Sequence, residues 1–241
     1  SDVYKRQLKN MTPPAGSKTV EELRQRLLRE GYTELRPGRW QLTAGGKYFT
    51  TKNGSSLMAF RIPQEAPAGF LLTASHSDSP CFRLRDHAEL TGEYIRLSAE
   101  RYGGMINDSW LDRPLSVAGR VLVRREGGLE ARLVDLKRDV ALIPRVAIHL
   151  NRETNNGVKY DPARDLVALY AAGTGSGSFY REVARTADCA PEDVVAGDLV
   201  LYNNQPGTVW GPEGEFVSAP RLDDLACVFA LSLIHISEPT R

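Results

Sequence analysis

The sequence predicts an α/β protein that also carries a second, mostly β region. Three observations lead there: an amphipathic helix near the start, an apolar run that ends on a histidine, and a long middle stretch of alternating polar and apolar residues. The apolar run is Leu71-Leu72-Thr73-Ala74-Ser75-His76-Ser77-Asp78-Ser79-Pro80, bounded by Gly69 and Pro80. It is too short for a helix and reads as a buried strand. Its C-terminal end would present His76 at the edge of a sheet, where open α/β sheets bind their ligands. A neutral imidazole is the commonest metal ligand, and a carboxylate usually fixes its tautomer and orientation. Asp78 is close enough in sequence to do so. A lone His-x-Asp also arises often by chance, so this spacing does not by itself define a metal site.

In chain order, Thr19 and Glu22 have the spacing of a capping box, Val20, Leu23, Leu27 and Leu28 form one apolar stripe, and Gly31 is a stop, so a helix is predicted over 19–31. Lys47 to Thr51 and Leu57 to Ile62 are β-prone runs joined through Asn53-Gly54, a strong hairpin signal. Beyond Pro80 the texture changes to alternation, as in Tyr94-Ile95-Arg96-Leu97 and in Val117 to Arg125, which turns at Gly127-Gly128 into Leu129 to Leu136. That pattern describes half-buried antiparallel strands and places a second, mostly β domain from about residue 85. His87, within Arg85-Asp86-His87-Ala88-Glu89, reads as a surface residue. Asn151 to Pro162 is polar and Gly/Asn-rich, hence an exposed loop, and a helix follows over 179–186. The run Gly173 to Ser178 resembles a phosphate loop only superficially, because no Lys-Ser/Thr follows it, and a connector is the better reading. Asp198 to Tyr202 resumes a strand, and Ser218-Ala219-Pro220-Arg221-Leu222-Asp223-Asp224 leads into a helix starting at Leu225.

The 241 residues are 41% hydrophobic and 25% charged, enough for a sizeable core. With 31 basic against 30 acidic side chains there is no electrostatic bias toward nucleic acid or anionic membrane, and neither is an expected partner. No apolar stretch reaches the roughly 18 residues of a membrane span. Cys81, Cys189 and Cys227 are few, odd in number and far apart, which suits reduced thiols in a cytoplasmic protein better than a disulfide framework. The ends read differently from the rest. Leu231 to Arg241 is how a widely used transposase adaptor translates in one frame, and Asp2 to Gln7 is the reverse complement of its inner part. Residues 1–7 and 231–241 are therefore expected to be adaptor-derived, and 8–230 to be an internal fragment of a longer protein.

Five stretches together resemble the aspartyl aminopeptidase family of dinuclear zinc exopeptidases. They are His76-Ser77-Asp78-Ser79-Pro80-Cys81; Tyr102-Gly103-Gly104 with Trp110-Leu111-Asp112-Arg113; Val117-Ala118-Gly119-Arg120-Val121; Ile143-Pro144-Arg145-Val146-Ala147-Ile148-His149-Leu150; and Ala219-Pro220-Arg221-Leu222-Asp223. They occur in the family's order. The resemblance implies a layered α/β/α catalytic domain, here residues 8–84 and 217–230, interrupted by a mostly β oligomerisation domain over 85–216. It also implies that His76 ligates one zinc, that Asp78 orients it, that Asp223 bridges two zinc ions, and that His149 reaches into a neighbouring subunit's site. The implied activity is removal of acidic N-terminal residues from peptides by a homo-oligomer.

Asp224 departs from the resemblance, since the family often has Asn there, and it places a second acid beside the proposed bridge. The family's general-base Glu and its remaining ligands fall downstream of this helix, so the chain alone is expected not to be a competent catalyst. Two other functions stay open on the sequence: a related dinuclear zinc aminopeptidase of different specificity, and a non-catalytic oligomerisation scaffold. For His149, strand alternation across Ile148-His149-Leu150 would turn the imidazole away from its apolar neighbours.

Overall fold

The computed structural model describes residues 16–173 and 175–237. The adaptor-like segment 1–7 and the last four residues of 231–241 lie outside the described residues. The chain divides into two units, Ser1–Ser79 with Pro206–Arg241, and Pro80–Gln205.

In the first unit, helix α1 spans Gly16–Arg29. It begins ahead of Thr19, which therefore sits within the first turn, 4% exposed, instead of capping it. Burial of the face that carries Thr19, Val20 and Leu27 outweighs the local capping signal. Leu28 is 38% exposed, so the apolar stripe is narrower than its spacing suggests. The stop is as expected and its chemistry is explicit. Gly31 takes φ +79°, its N–H donates to the Leu28 carbonyl at 3.1 Å, and the Tyr32 N–H donates to Leu27 at 3.0 Å. This is the Schellman arrangement, completed by packing of Tyr32 with Leu27 and Phe49.

Strand β1 (Thr33–Glu34) runs parallel to β2 (Lys47–Lys52), which pairs antiparallel with β3 (Ser56–Arg61). Asn53 and Gly54 both have positive φ, 53° and 63°, within a three-residue loop, Asn53 to Ser55, that closes on the Lys52–Ser56 pair. The predicted strand over Leu71 to Pro80 does not form. Those residues belong to no strand, and Phe70, Leu71 and Leu72 are 92, 94 and 86% exposed. An apolar run announces a need for burial, but a strand exists only where a neighbour supplies backbone partners. The three-stranded sheet of the described residues does not offer one.

In the second unit all pairings between named strands are antiparallel, with one isolated parallel bridge between Leu111 and Ile143. It contains β4 (Cys81–Leu90), β5 (Tyr94–Tyr102), β6 (Pro114–Arg125), β7 (Gly128–Asp135), β8 (Ala141–Leu142), α2 (Pro162–Asp165), β9 (Ala168–Ala172), α3 (Ser178–Thr186) and β10 (Val194–Asn203). The sheet order is β10-β4-β5-β9-β8-β6-β7, and β10 also pairs with β6, which closes the first six strands into a barrel and leaves β7 beyond it. Closure removes edges that an open sheet would expose. The alternating residues supply the interior: Phe82, Leu97, Leu115, Val117, Val121, Val123 and Leu201 are buried there together with Phe179 and Val183 of α3. β4 starts ahead of residue 85, at Cys81. His87 is exposed, with φ 54°, in an irregular part of β4. Glu89 explains why the glycine-rich run before α3 is no phosphate cradle. Its carboxylate accepts from the Gly177 and Phe179 amides at 2.6 and 3.1 Å, which occupies the helix N-terminus.

Back in the first unit, β11 (Thr208–Trp210) and β12 (Phe216–Ser218) form a hairpin on which Trp210 stacks against Phe216. Helix α4 follows over Leu222–Ser237, with Leu225, Val228 and Phe229 buried. Asp223 and Asp224 have non-helical backbone, so regular helix starts after them, as expected, and continues through residues read as adaptor-derived. Among the described residues no helix is long and apolar enough to cross a membrane.

At Gly119 strand β6 approaches β10 closely. The glycine has φ 151°, and a Cβ there would lie 2.0 Å from the Asp198 carbonyl oxygen and 2.9 Å from Leu199 Cα, both backbone atoms of β10. Gly119→Ala is therefore expected to destabilise the protein by about 3 kcal/mol or more, combining backbone strain with overpacking. Denaturant unfolding measures this, and an unchanged midpoint would show that β6 and β10 separate at little cost.

Candidate metal centre

The start of α4 positions the first donor. Arg221 takes φ +66° and Asp223 has ψ 113°, so the chain turns before the regular helix. The turn leaves the Asp223 side chain 92% exposed and that of Asp224 only 18% exposed. The segment that ends at Ser79 brings the second donor. His76 Nε2 lies 3.1 Å from Asp223 Oδ1, across 147 positions of sequence. Asp224 Oδ2 is 4.0 Å from the same nitrogen. Of the two adjacent acids, Asp223 is the one that faces the imidazole. Ser79 ties the segments together, its Oγ–H donating to the Asp223 carbonyl at 3.0 Å.

The other ring nitrogen is held from within its own segment. His76 Nδ1 is 3.0 Å from the Asp78 backbone carbonyl and 3.3 Å from its carboxylate Oδ1. A carbonyl can only accept, so Nδ1 carries a hydrogen and the neutral ring keeps its lone pair on Nε2. The orienting role expected of the Asp78 carboxylate is thus shared with its backbone. Desolvation, the largest single influence, pulls the imidazole pKa down, but the Asp78 carbonyl, the Asp223 hydrogen bond and the charges of Asp224 and Asp78 together hold it above its ordinary value.

The donors fit zinc in kind, an imidazole nitrogen and a carboxylate oxygen, each of which binds at roughly 2.0–2.2 Å. Their 3.1 Å separation lets both reach one ion. Among the described residues no group of three His, Cys, Asp or Glu side chains converges on a metal position. Cys227 stands beside the pair. The Asp224 carboxylate, hydrogen-bonded to its thiol, pushes the thiol pKa up, with desolvation and the Asp223 charge adding to this. Its place three residues beyond Asp224, in the first turn of the regular helix, was the available signal.

His149 belongs to the other unit, and its surroundings correct the sequence expectation. Ile148, His149 and Leu150 form a turn, with the Leu150 N–H donating to the Ala147 carbonyl at 2.8 Å, and all three side chains are exposed. Strand alternation therefore says nothing about where this imidazole faces. The segment leaves the sheet because it is anchored just upstream. The Arg145 amide donates to Asp112 Oδ1 at 2.8 Å, and its guanidinium lies 3.3 Å from Asp108 and 3.7 Å from Asp112. Tyr160 donates to Asp108 as well. The segments around Trp110-Leu111-Asp112-Arg113 and Ile143-Pro144-Arg145 meet at this cluster, a role their sequence did not disclose.

An imidazole whose Nδ1 is held by a carbonyl and whose Nε2 faces a carboxylate offers donor types that zinc accepts. Residues 11–239 match the family described as Aminopeptidase I zinc metalloprotease (M18), and the chain belongs to that family. It is 36% identical over 230 residues to a probable M18 family aminopeptidase 2 of Clostridium acetobutylicum, covering 90% of this chain and 53% of that one. A namesake from Pseudomonas fluorescens is 37% identical over 227 residues, with the same coverage. The chain thus spans about half the length of the curated relatives it matches. Among solved structures, mApe1 of Chaetomium thermophilum superposes with a TM-score of 0.88 at 30% identity, covering 98% of this chain and 58% of that one. The S. cerevisiae mApe1 dodecamer superposes with a TM-score of 0.81 at 27% identity, covering 98% and 56%.

The carboxylates favour the imidazolium, so in metal-free protein His76 is expected to titrate above 6.5, its ordinary value. The associated stabilisation is present below the ordinary value and is lost as pH rises through the folded one. Metal needs the neutral ring, so metal affinity should fall as pH drops through the same range. NMR titration of the ring protons measures the midpoint. Asp223→Asn should lower it, and an unchanged midpoint would show that the carboxylate does not act on the ring.

Proposed function

We propose that the full-length protein is a dinuclear zinc aminopeptidase that removes acidic residues from peptide N-termini. The observation that carries this is the His76–Asp223 pair, two zinc-type donors brought to 3.1 Å from segments 147 positions apart. Family membership supports the zinc and the peptidase chemistry. Zinc, when bound, supplies a Lewis acid for the scissile carbonyl and an acidified water near neutral pH. His76 offers Nε2 because Asp78 keeps the hydrogen on Nδ1. Asp223 would hold metal through its carboxylate, and Ser79 steadies the backbone that presents it. The Ser1–Ser79 and Pro206–Arg241 unit is the catalytic domain in this reading, and Pro80–Gln205 is the insertion through which subunits assemble. Assembly draws support from the dodecamer of the S. cerevisiae relative.

Elemental analysis of the full-length protein is expected to give close to two zinc ions per chain, and hydrolysis should be faster for N-terminal Asp or Glu than for Leu. Asp223→Ala should lower the metal content and abolish turnover. Full zinc stoichiometry in that variant would remove Asp223 from the site.

His149 is proposed to act in a neighbouring subunit's site, donating a hydrogen bond to the tetrahedral intermediate. Its exposure on a turn leaves it accessible for that role. His149→Ala should lower kcat by roughly a hundredfold, the usual cost of one lost transition-state donor, with zinc content intact. Mixing it with His76→Ala subunits should restore part of the activity, since each hybrid site can combine a sound metal half with a sound His149. If subunits exchange and no activity returns, His149 does not act in trans.

A further inference from the structure

Strand β7 lies outside the closed barrel. Among the described residues it pairs only with β6, so its far edge presents backbone N–H and C=O groups with no strand beside them. Along this edge Leu129, Ala131 and Leu133 are exposed, Leu129 at 58% and Leu133 at 38%. Glu130 and Arg132 alternate with them and point to the opposite face, where they are 3.1 Å apart and Arg132 also reaches the Ala187 and Asp188 carbonyls. The leucine face continues across the sheet, because Ala131 is in register with Leu122 of β6, which is in register with the exposed Ala196 of β10. That apolar row stops at an open edge.

The order Leu129-Glu130-Ala131-Arg132-Leu133 is complementary to itself when reversed. In an antiparallel two-fold pairing centred on Ala131, Leu129 stands opposite Leu133 of the second copy, Glu130 opposite its Arg132, and Ala131 opposite its own equivalent. Opposed side chains then have Cβ atoms roughly 4.5–5.5 Å apart, close enough for both the apolar and the charged pairs to contribute. A slip of one residue sets leucines against charges, which fixes the register. Charged side chains on an edge normally discourage pairing. Here their order opposes unlike charges in one arrangement only.

We propose that the β7 edge is a docking surface for a second copy of this chain, joining two barrels through a continuous sheet centred on Ala131. The proposal builds on the self-association placed in the Pro80–Gln205 unit above, and names the surface that makes one of its contacts.

Short-range cross-linking tests the register directly. In a chain carrying Cys227→Ser, which removes the exposed thiol, Ala131→Cys should be joined into a covalent dimer by a thiol-bridging reagent that spans about 5 Å. Leu129→Cys should not, because the two-fold separates the two copies of residue 129 by about 13 Å, four strand residues. The pair Leu129→Cys and Leu133→Cys in one chain should cross-link again. Sedimentation equilibrium supplies a thiol-free readout. Glu130→Arg should weaken dimerisation at least tenfold, and adding Arg132→Glu should restore it to within about threefold. Because Arg132 also holds the end of α3, Leu129→Lys, on the exposed face, serves as a second disrupting variant, with thermal melting confirming its fold. Equal cross-linking at 129 and 131, or dimerisation unaffected by both Glu130→Arg and Leu129→Lys, would overturn the proposal. Zinc content stays a separate measurement: a monomer that still binds zinc removes this surface and leaves the metal site standing, whereas a correctly cross-linked dimer that binds none does the reverse.

Discussion

The pairing of β10 with both β4 and β6 is the constraint on which the rest depends. It closes the barrel, and it does more than remove edges. Leu201 of β10 lies opposite Phe82 of β4, so the end of the Pro80–Gln205 unit returns beside its beginning. A unit whose two ends are adjacent can sit inside another without pulling that other apart. Segments on either side of it, one ending at Ser79 and one beginning at Pro206, can then build a common structure. His76 and Asp223 meet on those terms. Gly119 belongs to the same constraint, because only a residue without Cβ lets β6 approach β10 at that point.

At the proposed metal centre a small number of polar contacts sets the geometry in an exposed location. The His76 and Asp223 side chains are 54% and 92% exposed, so burial does not hold them in place. Directional bonds do: Asp78 at one ring nitrogen, Ser79 at the Asp223 carbonyl, and the turn at Arg221 that aims the carboxylate. Three carboxylates around one imidazole raise its proton affinity. A divalent cation would relieve the same negative charge, so proton and metal compete for one lone pair. Asp224, less exposed and hydrogen-bonded to the Cys227 thiol, contributes charge without facing the ring as closely.

The barrel illustrates a different division of labour. Its interior follows from alternation, residue by residue, but its strength at the surface rests on ion pairs and caps that bind one element to the next. Glu89 of β4 seats the N-terminus of α3, and Arg132 of β7 reaches carbonyls at its C-terminal end. The Arg145 cluster fastens the turn that carries His149. Each of these joins residues far apart in sequence, and none follows from a local pattern.

What the sequence determined by itself was local. The helix that stops at Gly31, the Asn53-Gly54 hairpin, the alternating strands from Tyr94 to Leu136, and the helix over 179–186 are all set by side-chain periodicity and by residues that prefer positive φ. These preferences act over a few residues and need no distant partner. The resemblance also brought His76, Asp78 and Asp223 forward as candidates, because short motifs in a fixed order survive without knowledge of their contacts. Tertiary structure decided whatever needed a partner. It made Thr19 a buried helix residue instead of a cap, left Leu71 and Leu72 exposed where a buried strand was expected, and put His149 on a turn. It also closed the barrel through β10. A strand, a cap or a ligand pair exists only when a second segment supplies the matching group, and the identity of that segment is a property of the folded chain, not of the run of residues that awaits it.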